Sequence, residues 1–297
     1  MGIRREKNFS GSYFLESQKR MGEETYIMAY KIGFIKEDYE SKATEQKREA
    51  VREEAIARKS VVQVYFPDRD RSYSYYNDQF DLQCGDIVFV EGKLEGVRGR
   101  VTEVNYNFKI KLSDYKRVIA VADTNVTGQF YMAGSHFVTF EPDVLPSNKV
   151  LSWFKAPSQE EEYISGGDGT WFSIDKLSDM NVSNTIAERG YEYYRENKVR
   201  YVYVNGNRGY ALVEGSEVYE VEFEYRDREV CNLVCSCYCS YNCKHEFAAM
   251  LQLRETLDMI EKHYQDEFQK TGYFAAVAKG TLFMFVVDKK ETGKFVL

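Results

Sequence analysis

Hydrophobic and polar residues alternate along much of the chain, and the period of this alternation predicts where the strands lie. Between residues 61 and 107, four such runs read VVQVYF, SYSYY, DIVFVEG and GRVTEVNYN, with short turn-forming breaks between them. Alternation with period two is typical of half-buried strands. These runs predict a small antiparallel β-barrel-like N-terminal half.

The second half of the chain mixes helical and strand periods. The segment 183–198, SNTIAERGYEYYRENK, predicts a helix, and three alternating runs follow it up to residue 237. A second helix is predicted from Lys244 to about Tyr264, because apolar residues recur there at spacings of three and four. The tail YFAAVAKGTLFMFVV predicts a final hairpin that turns at Lys279 and Gly280. Strands and helices in this order indicate an α+β fold.

Breaks in the pattern predict four segments. They are a polar arm and charged helix (1–60), a β-rich domain (61–155), a linker with Pro, Gly and an acidic run (156–170), and a C-terminal domain (171–297). Within the second segment, the stretch from Gly85 to Val104 loosely resembles SH3-like or KOW-like barrels. Its neighbouring tyrosines, Tyr73, Tyr75 and Tyr76, would stack on bases in a nucleic-acid platform or divide between a core face and a solvent face.

Composition and charge exclude some classes of function. The chain has 297 residues and a formal charge of −7, so a nucleic-acid contact would need a local basic patch. The start carries no secretory signal pattern, and no run approaches the eighteen apolar residues of a membrane span. We therefore expect a cytoplasmic protein with no membrane partner. In a reducing cytosol, clustered cysteines more often bind metal or do redox chemistry than form disulfides.

The cysteines indicate a metal site. Five of the six fall between residues 231 and 243, and a histidine follows at 245. Residues two apart in a strand point the same way, so Cys235 and Cys237 can face one ion. Cys243 and His245 lie at a predicted helix start, where the helix dipole favours a thiolate. Three cysteines and one histidine form a closed set of four ligands, which is typical of structural Zn²⁺.

The pattern C-x-C, five residues, then C-x-H resembles the SWIM zinc finger. The resemblance extends upstream over about residues 180 to 262, through RGYEYY (189–194), KV (198–199), VEGS (213–216) and YEV (219–221). It implies that Cys235, Cys237, Cys243 and His245 bind Zn²⁺ in a ββα-type domain. SWIM fingers occur in chromatin-remodelling-type helicases and Mutator-type transposases, and the family is associated with DNA binding or protein contact.

Two surplus cysteines leave alternatives open. Cys239 lies inside the loop, so Cys237, Cys239, Cys243 and His245 also satisfy the motif, with only three residues to close around the ion. Cys231 precedes the motif and is a further possible substitute. The other interpretations are buried free cysteines without metal, or a disulfide or redox site, although C-x-C matches the C-x-x-C of thioredoxin-like enzymes poorly.

The sequence therefore predicts a binding module and not an enzyme. It contains no phosphate-binding G-x-x-x-x-G-K-[ST] loop, no assignable catalytic constellation and no identifiable small-molecule substrate. The expected partner is DNA or another protein. The alternative is an accessory subunit of a separately encoded helicase or ATPase, acting through protein contacts alone. From residue 189 to 262, ten Lys and Arg face thirteen Asp and Glu, a weak basis for phosphate binding unless Arg189, Arg195, Lys198, Arg200 and Lys244 cluster.

Overall fold

The computed structural model describes two short backbone segments near the N-terminus and most of the chain from residue 58 onward. The described residues are 15–19, 28–32, 58–156, 166–167, 169–237, 239 and 241–287. Fifteen strands lie within these residues: β1 (Leu15–Lys19), β2 (Met28–Ile32), β3 (Ser60–Phe66), β4 (Arg71–Asn77), β5 (Ile87–Val90), β6 (Gly99–Asn105), β7 (Val118–Val121), β8 (Gly128–Ala133), β9 (His136–Thr139), β10 (Phe172–Ser173), β11 (Val199–Asn205), β12 (Arg208–Glu214), β13 (Val218–Arg226), β14 (Glu229–Cys235) and β15 (Tyr273–Ala278).

The strands form two antiparallel sheets, and with the helices they make the α+β fold that the sequence predicts. The larger sheet has ten described strands in the order β1-β2-β8-β9-β15-β11-β12-β13-β14-β10. The smaller sheet has the order β4-β3-β6-β5-β7. Strand β15 comes late in the chain but lies between β9 and β11, so it joins sequence-distant hairpins in one sheet.

The predicted β-barrel is wrong, because the smaller sheet is not closed among the described residues. The edge strand β4 meets the residue just before the other edge strand, β7, in an isolated bridge between Tyr76 and Arg117. One backbone bond, from the Tyr76 N–H to the Lys116 carbonyl at 2.9 Å, accompanies that bridge. A closed barrel needs a continuous ladder between its first and last strands, and the four residues of β7 pair only with β5.

Five α-helices lie in the described part of the chain: α1 (Ser147–Leu151), α2 (Asn184–Arg195), α3 (Lys244–His263), α4 (Gln265–Thr271) and α5 (Lys279–Leu282). The predicted helices over 183–198 and from Lys244 are confirmed as α2 and α3. Helix α2 begins after Ser183, whose hydroxyl accepts the Ile186 N–H. None of the described helices combines the length and apolar character needed to span a bilayer.

The predicted C-terminal hairpin is also wrong. Strand β15 is present, but the chain continues after it as α5 and a π-helical turn over Phe283–Val287. The buried side chains of Leu282, Phe285 and Val286 recur at helical spacings of three and four. That spacing explains why this segment coils instead of returning as a strand.

The larger sheet is packed on both faces. On one face, Leu253 and Ile260 of α3 lie in a core with Val202 and Val213 of the sheet. On the opposite face, Trp153 belongs to a second core that includes Tyr201, Leu212 and Val277. Burial on both faces accounts for the unbroken apolar sequence of β15, in which all six residues are buried.

The division into domains stays a prediction. Residues 36–57 of the predicted charged helix and most of the predicted linker, 157–165 and 168, lie outside the described residues. The pairing of β9 with β15 crosses the predicted boundary, since it places residues 136–139 in the same sheet as the C-terminal segment.

Candidate metal centre

The first two predicted ligands lie where strand β14 runs out of the sheet. Cys235 is the last residue of the strand and pairs with Val221 of β13. The next residue stays attached to β13, because the Ser236 N–H donates to the Glu220 carbonyl at 2.9 Å and the Ser236 hydroxyl accepts the Glu220 N–H at 3.0 Å. Cys237 lies in the bend that follows the strand, and Ser236 anchors the start of that bend to β13.

The other two ligands lie at the start of α3. Cys243 is the N-cap residue, and its sulfur accepts the Glu246 N–H at 3.5 Å. The Glu246 carboxylate accepts the Cys243 N–H in return at 2.6 Å, which completes a capping box. His245 follows in the first turn, so the cap fixes two side chains of the cluster at once.

The four side chains converge on one point. Their ligand atoms all lie within 4.8 Å of one another. The His245 Nδ1 atom is 3.8 Å from the Cys235 sulfur and 3.7 Å from the Cys243 sulfur. A tetrahedral site with metal–sulfur bonds of about 2.3 Å and metal–nitrogen bonds of about 2.0 Å has ligand atoms about 3.5–3.8 Å apart. The arrangement is therefore able to hold a metal ion.

The remaining cysteines lie outside this cluster. The Cys231 thiol is buried and donates to the Glu224 carboxylate at 3.7 Å. Cys239 is exposed in the loop, and Cys84, in the turn before β5, donates to the Thr102 carbonyl at 3.4 Å. The cluster of Cys237, Cys243 and His245 thus includes Cys235 and does not include Cys239.

Aromatic rings hold His245 in place. The Tyr219 ring stacks on the imidazole with 4.0 Å between centroids and 15° between planes, and the Tyr193 ring lies tilted at 5.4 Å. A Cβ atom at Gly215 would lie 3.0 Å from the Tyr219 ring and 3.2 Å from the Tyr193 hydroxyl. The sequence marked these positions only as part of a resemblance, whereas the structure gives them a role in orienting a ligand.

The three neighbouring sulfur atoms shift one another's pKa values in opposite directions. A hydrogen bond from Cys235, with others from His245 and the Glu246 N–H, lowers the pKa of Cys243 to about 4. The same contact with Cys243, together with burial, raises the pKa of Cys235. Burial, followed by the Cys243 charge, raises the pKa of Cys237 to about 12. A divalent cation supplies the charge that lets three neighbouring thiols ionise together.

Sequence reasoning missed the buried carboxyl group at this centre, Glu246. Burial and the nearby Cys243 charge raise the pKa of this carboxyl to about 8. The sequence does contain a pattern that predicts its position, because a glutamate three residues after an N-cap residue is typical of a capping box.

The candidate basic residues divide into different environments. Arg189 and Arg195 are exposed on α2. Arg200 pairs with Glu214 at 2.6 Å. Lys198 and Lys244 both lie over the ring of Tyr193, at 4.4 and 4.6 Å from its centroid, and Lys198 also pairs with Glu196 at 2.6 Å. Positive and negative side chains are therefore interspersed beside the cluster.

The tyrosines of the smaller sheet do not form one stacking platform. Tyr75 and Tyr76 are buried, and only Tyr73 is substantially exposed. Tyr75 belongs to the apolar core of the sheet, and the Tyr76 ring contacts Phe108 edge to face. Tyr73 and Tyr75 lie on one face of β4, where both contact Phe66, and Tyr76 lies on the other.

Comparison with known proteins gives a match over part of the chain. No family model matches the chain, and no solved structure matches it. A stretch of 69 residues is 41% identical to an uncharacterized protein, MJ1493, of Methanocaldococcus jannaschii. The match covers 23% of this chain and 29% of that protein, so the chain spans less than a third of its relative.

Proposed function

We propose that Cys235, Cys237, Cys243 and His245 bind one Zn²⁺ ion as a SWIM-type zinc finger, and that the chain is a non-catalytic binding module. The observation that carries this proposal is the convergence of three sulfurs and one imidazole nitrogen within 4.8 Å. Thiolates are soft ligands that select zinc over magnesium or calcium. A full set of four protein ligands leaves no position for a reacting water.

The proposed ion joins two elements that are separate in sequence. Two ligands come from the end of the β13–β14 hairpin and two from the first turn of α3. Zinc would fix the hairpin to the helix, because structural zinc contributes folding free energy directly. A rigid, loop-bearing surface of this kind suits the binding of a macromolecule.

The charges beside the cluster favour a protein partner. Arg200 and Lys198 are already paired with carboxylates of the same chain, at Glu214 and Glu196. Duplex DNA requires cations that are free to replace its counterions. A DNA partner is the second candidate, supported by the resemblance and by the ammonium group of Lys244 over Tyr193. An accessory subunit that acts on a separate ATPase falls within the first candidate.

Metal analysis of the full chain, purified without chelators, tests the proposal. We expect about one zinc per chain, since the four ligands make one site. Removal of the metal with a chelator should lower the thermal midpoint, and added zinc should restore it. A zinc content near zero would overturn the proposal, and two ions per chain would mean that Cys231 and Cys239 serve a second site.

A further inference from the structure

A second candidate site lies on the face of the larger sheet that is opposite α3. It is a cavity of about 540 Å³ over strands β11 to β14. Small-molecule sites commonly enclose about 300–1,000 Å³, so its size suits an amino-acid side chain or a small ligand. The residues that matter for its chemistry are Tyr203, Tyr210, Arg208, Glu222, Glu224 and Asn232.

The floor of the cavity is a single row of cross-strand neighbours. Tyr203 of β11 pairs with Tyr210 of β12, which pairs with Glu222 of β13, which pairs with Val234 of β14. Residues paired in this way project on the same face of a sheet. The two tyrosine rings lie 5.7 Å apart at 34°, and the carboxylate follows them directly in the row.

Glu222 is exposed, and neither of the two residues paired directly with it across the strands is cationic. Glu224 lies opposite Arg208 and accepts a hydrogen bond from Asn232 at 3.0 Å. Glu220 accepts the Tyr210 hydroxyl at 2.9 Å and lies 3.7 Å from the Lys155 ammonium. The cross-strand neighbours of Glu222, by contrast, are an aromatic and an aliphatic side chain. A carboxylate between two others on one strand, beside aromatic rings, favours a positively charged ligand.

Backbone close to Asn232 forms one wall of the cavity. Gly166 and Gly167 line it, and a Cβ atom at Gly167 would lie 2.1 Å from the Asn232 Oδ1 atom. The Gly169 N–H donates to the same oxygen at 3.2 Å. Only glycine at 167 allows the chain to approach Asn232 this closely.

We propose that this cavity binds an organic cation, a guanidinium or alkylammonium group, which rests on the partly exposed ring of Tyr203 and pairs with Glu222. A planar guanidinium stacks on aromatic faces and binds a carboxylate with a fork of N–H donors. Nothing in this site depends on the metal ligands, so the inference is separate from the proposed zinc module.

Titration of the full chain with Nα-acetyl-arginine amide tests the proposal, with binding followed by saturation-transfer NMR. The matched probe is Nα-acetyl-citrulline amide, which keeps the shape but lacks the charge. We expect the arginine probe to bind and the citrulline probe to bind about tenfold more weakly or not at all. A capped Ala-Arg-Ala peptide distinguishes the sources, because tighter binding than that of the single residue indicates a cation presented by a polypeptide, and equal binding indicates a free small molecule.

Three variants place the binding in this cavity. Glu222→Gln removes the charge and should weaken binding of the arginine probe about tenfold. Tyr203→Phe keeps the ring and should bind normally, while Tyr203→Leu should bind as weakly as Glu222→Gln. Glu188→Gln, an exposed carboxylate on α2, is the control that should change nothing. Equal binding of arginine and citrulline, unchanged affinity in Glu222→Gln, or no binding of the arginine probe would each overturn the proposal.

Discussion

The imidazole of His245 lies almost parallel to the ring of Tyr219, with 4.0 Å between the centroids. The stack fixes the plane of the imidazole, and the Nδ1 atom then faces the sulfurs of Cys235 and Cys243. Tyr219 is itself held, because its hydroxyl hydrogen bonds with that of Ser216 at 2.9 Å. A residue of the hairpin thus orients a ligand that belongs to the helix.

Replacement of Tyr219 by alanine should weaken metal binding without removing a ligand. Groups that orient a metal ligand typically contribute about 10–100-fold to affinity, and we expect a loss in this range. Tyr219→Phe keeps the stacked ring and should bind zinc nearly as the wild type does. Competition with a chromophoric zinc chelator measures both affinities. Equal affinities of the alanine variant and the wild type would show that the stack has no such role.

Substitution of the ligands should separate them from the surplus cysteines. Cys243→Ser and His245→Ala should each lose the bound zinc and lower the thermal midpoint, since metal binding contributes folding free energy. Cys84→Ser and Cys239→Ser should retain about one zinc per chain, because neither thiol belongs to the cluster. Zinc content by mass spectrometry and thermal unfolding provide the measurements. Loss of metal in Cys239→Ser with retention in a Cys235→Ser variant would indicate the shorter-loop ligand set.

The helix-packing contact beside the cluster predicts a strict requirement for glycine at position 190. A Cβ atom there would lie 2.9 Å from the Phe247 Cβ atom and 3.0 Å from the Lys244 carbonyl, where α2 crosses the first turn of α3. Gly190→Ala should force the helices apart and cost about 1–3 kcal/mol of unfolding free energy. Gly280→Ala, where a Cβ meets nothing within 4 Å, is the control. Chemical denaturation of both variants checks the difference, and equal stability would contradict the packing argument.

Local patterns in the sequence predicted the site better than they predicted the fold. The apolar spacing from Phe247 to Ile260 predicted α3, and the spacing of Cys235, Cys237, Cys243 and His245 identified the residues that converge. Both signals depend on neighbours a few residues apart. The stacking of Tyr219 on His245 depends on how a hairpin folds back over a helix, and no local period encodes it.

Long-range pairing accounts for most of what the sequence did not predict. The insertion of β15 between β9 and β11 joins residues more than a hundred positions apart, as in the pairing of Ala275 with Thr139. Alternation in the smaller sheet predicted its strands but not their closure, which depends on whether β4 and β7 share a full ladder. The spacing of Leu282, Phe285 and Val286 is typical of a helix. The prediction of a hairpin relied instead on the neighbouring Lys-Gly pair, which was wrongly interpreted as its turn.

The buried histidine of the larger sheet should make stability fall at acidic pH. His136 is fully buried, its Nε2 atom lies 2.9 Å from the Val199 carbonyl, and its Nδ1 atom lies 2.9 Å from the Ser135 hydroxyl. Burial lowers its pKa from 6.5 to about 4. The unfolded chain protonates His136 more readily than the folded chain does. The stability that neutral His136 contributes is therefore complete above pH 6.5 and is lost as the pH falls toward 4.

A pKa shift of this size corresponds to a change of about 3 kcal/mol in the free energy of unfolding between neutral His136 and protonated His136. Comparison of wild type with His136→Gln by denaturant unfolding at several pH values isolates the effect, because every other titrating group is common to both proteins. The difference in unfolding free energy between the two should narrow as the pH falls. A constant difference over this range would mean that His136 titrates normally in the fold.

The response of nucleic-acid binding to salt distinguishes the two candidate partners of the proposed zinc finger. Each phosphate neutralised on duplex DNA contributes a slope of about −0.9 in a plot of log affinity against log salt. Because Arg200 and Lys198 are paired with carboxylates, we expect weak binding and a shallow slope for the full chain in fluorescence anisotropy with a labelled duplex. Lys198→Glu with Lys244→Glu removes the two cations over Tyr193, and Lys176→Glu with Lys262→Glu is the charge-matched control. Submicromolar affinity with a steep slope, reduced by the first pair of substitutions and not by the second, would favour DNA and contradict the protein partner.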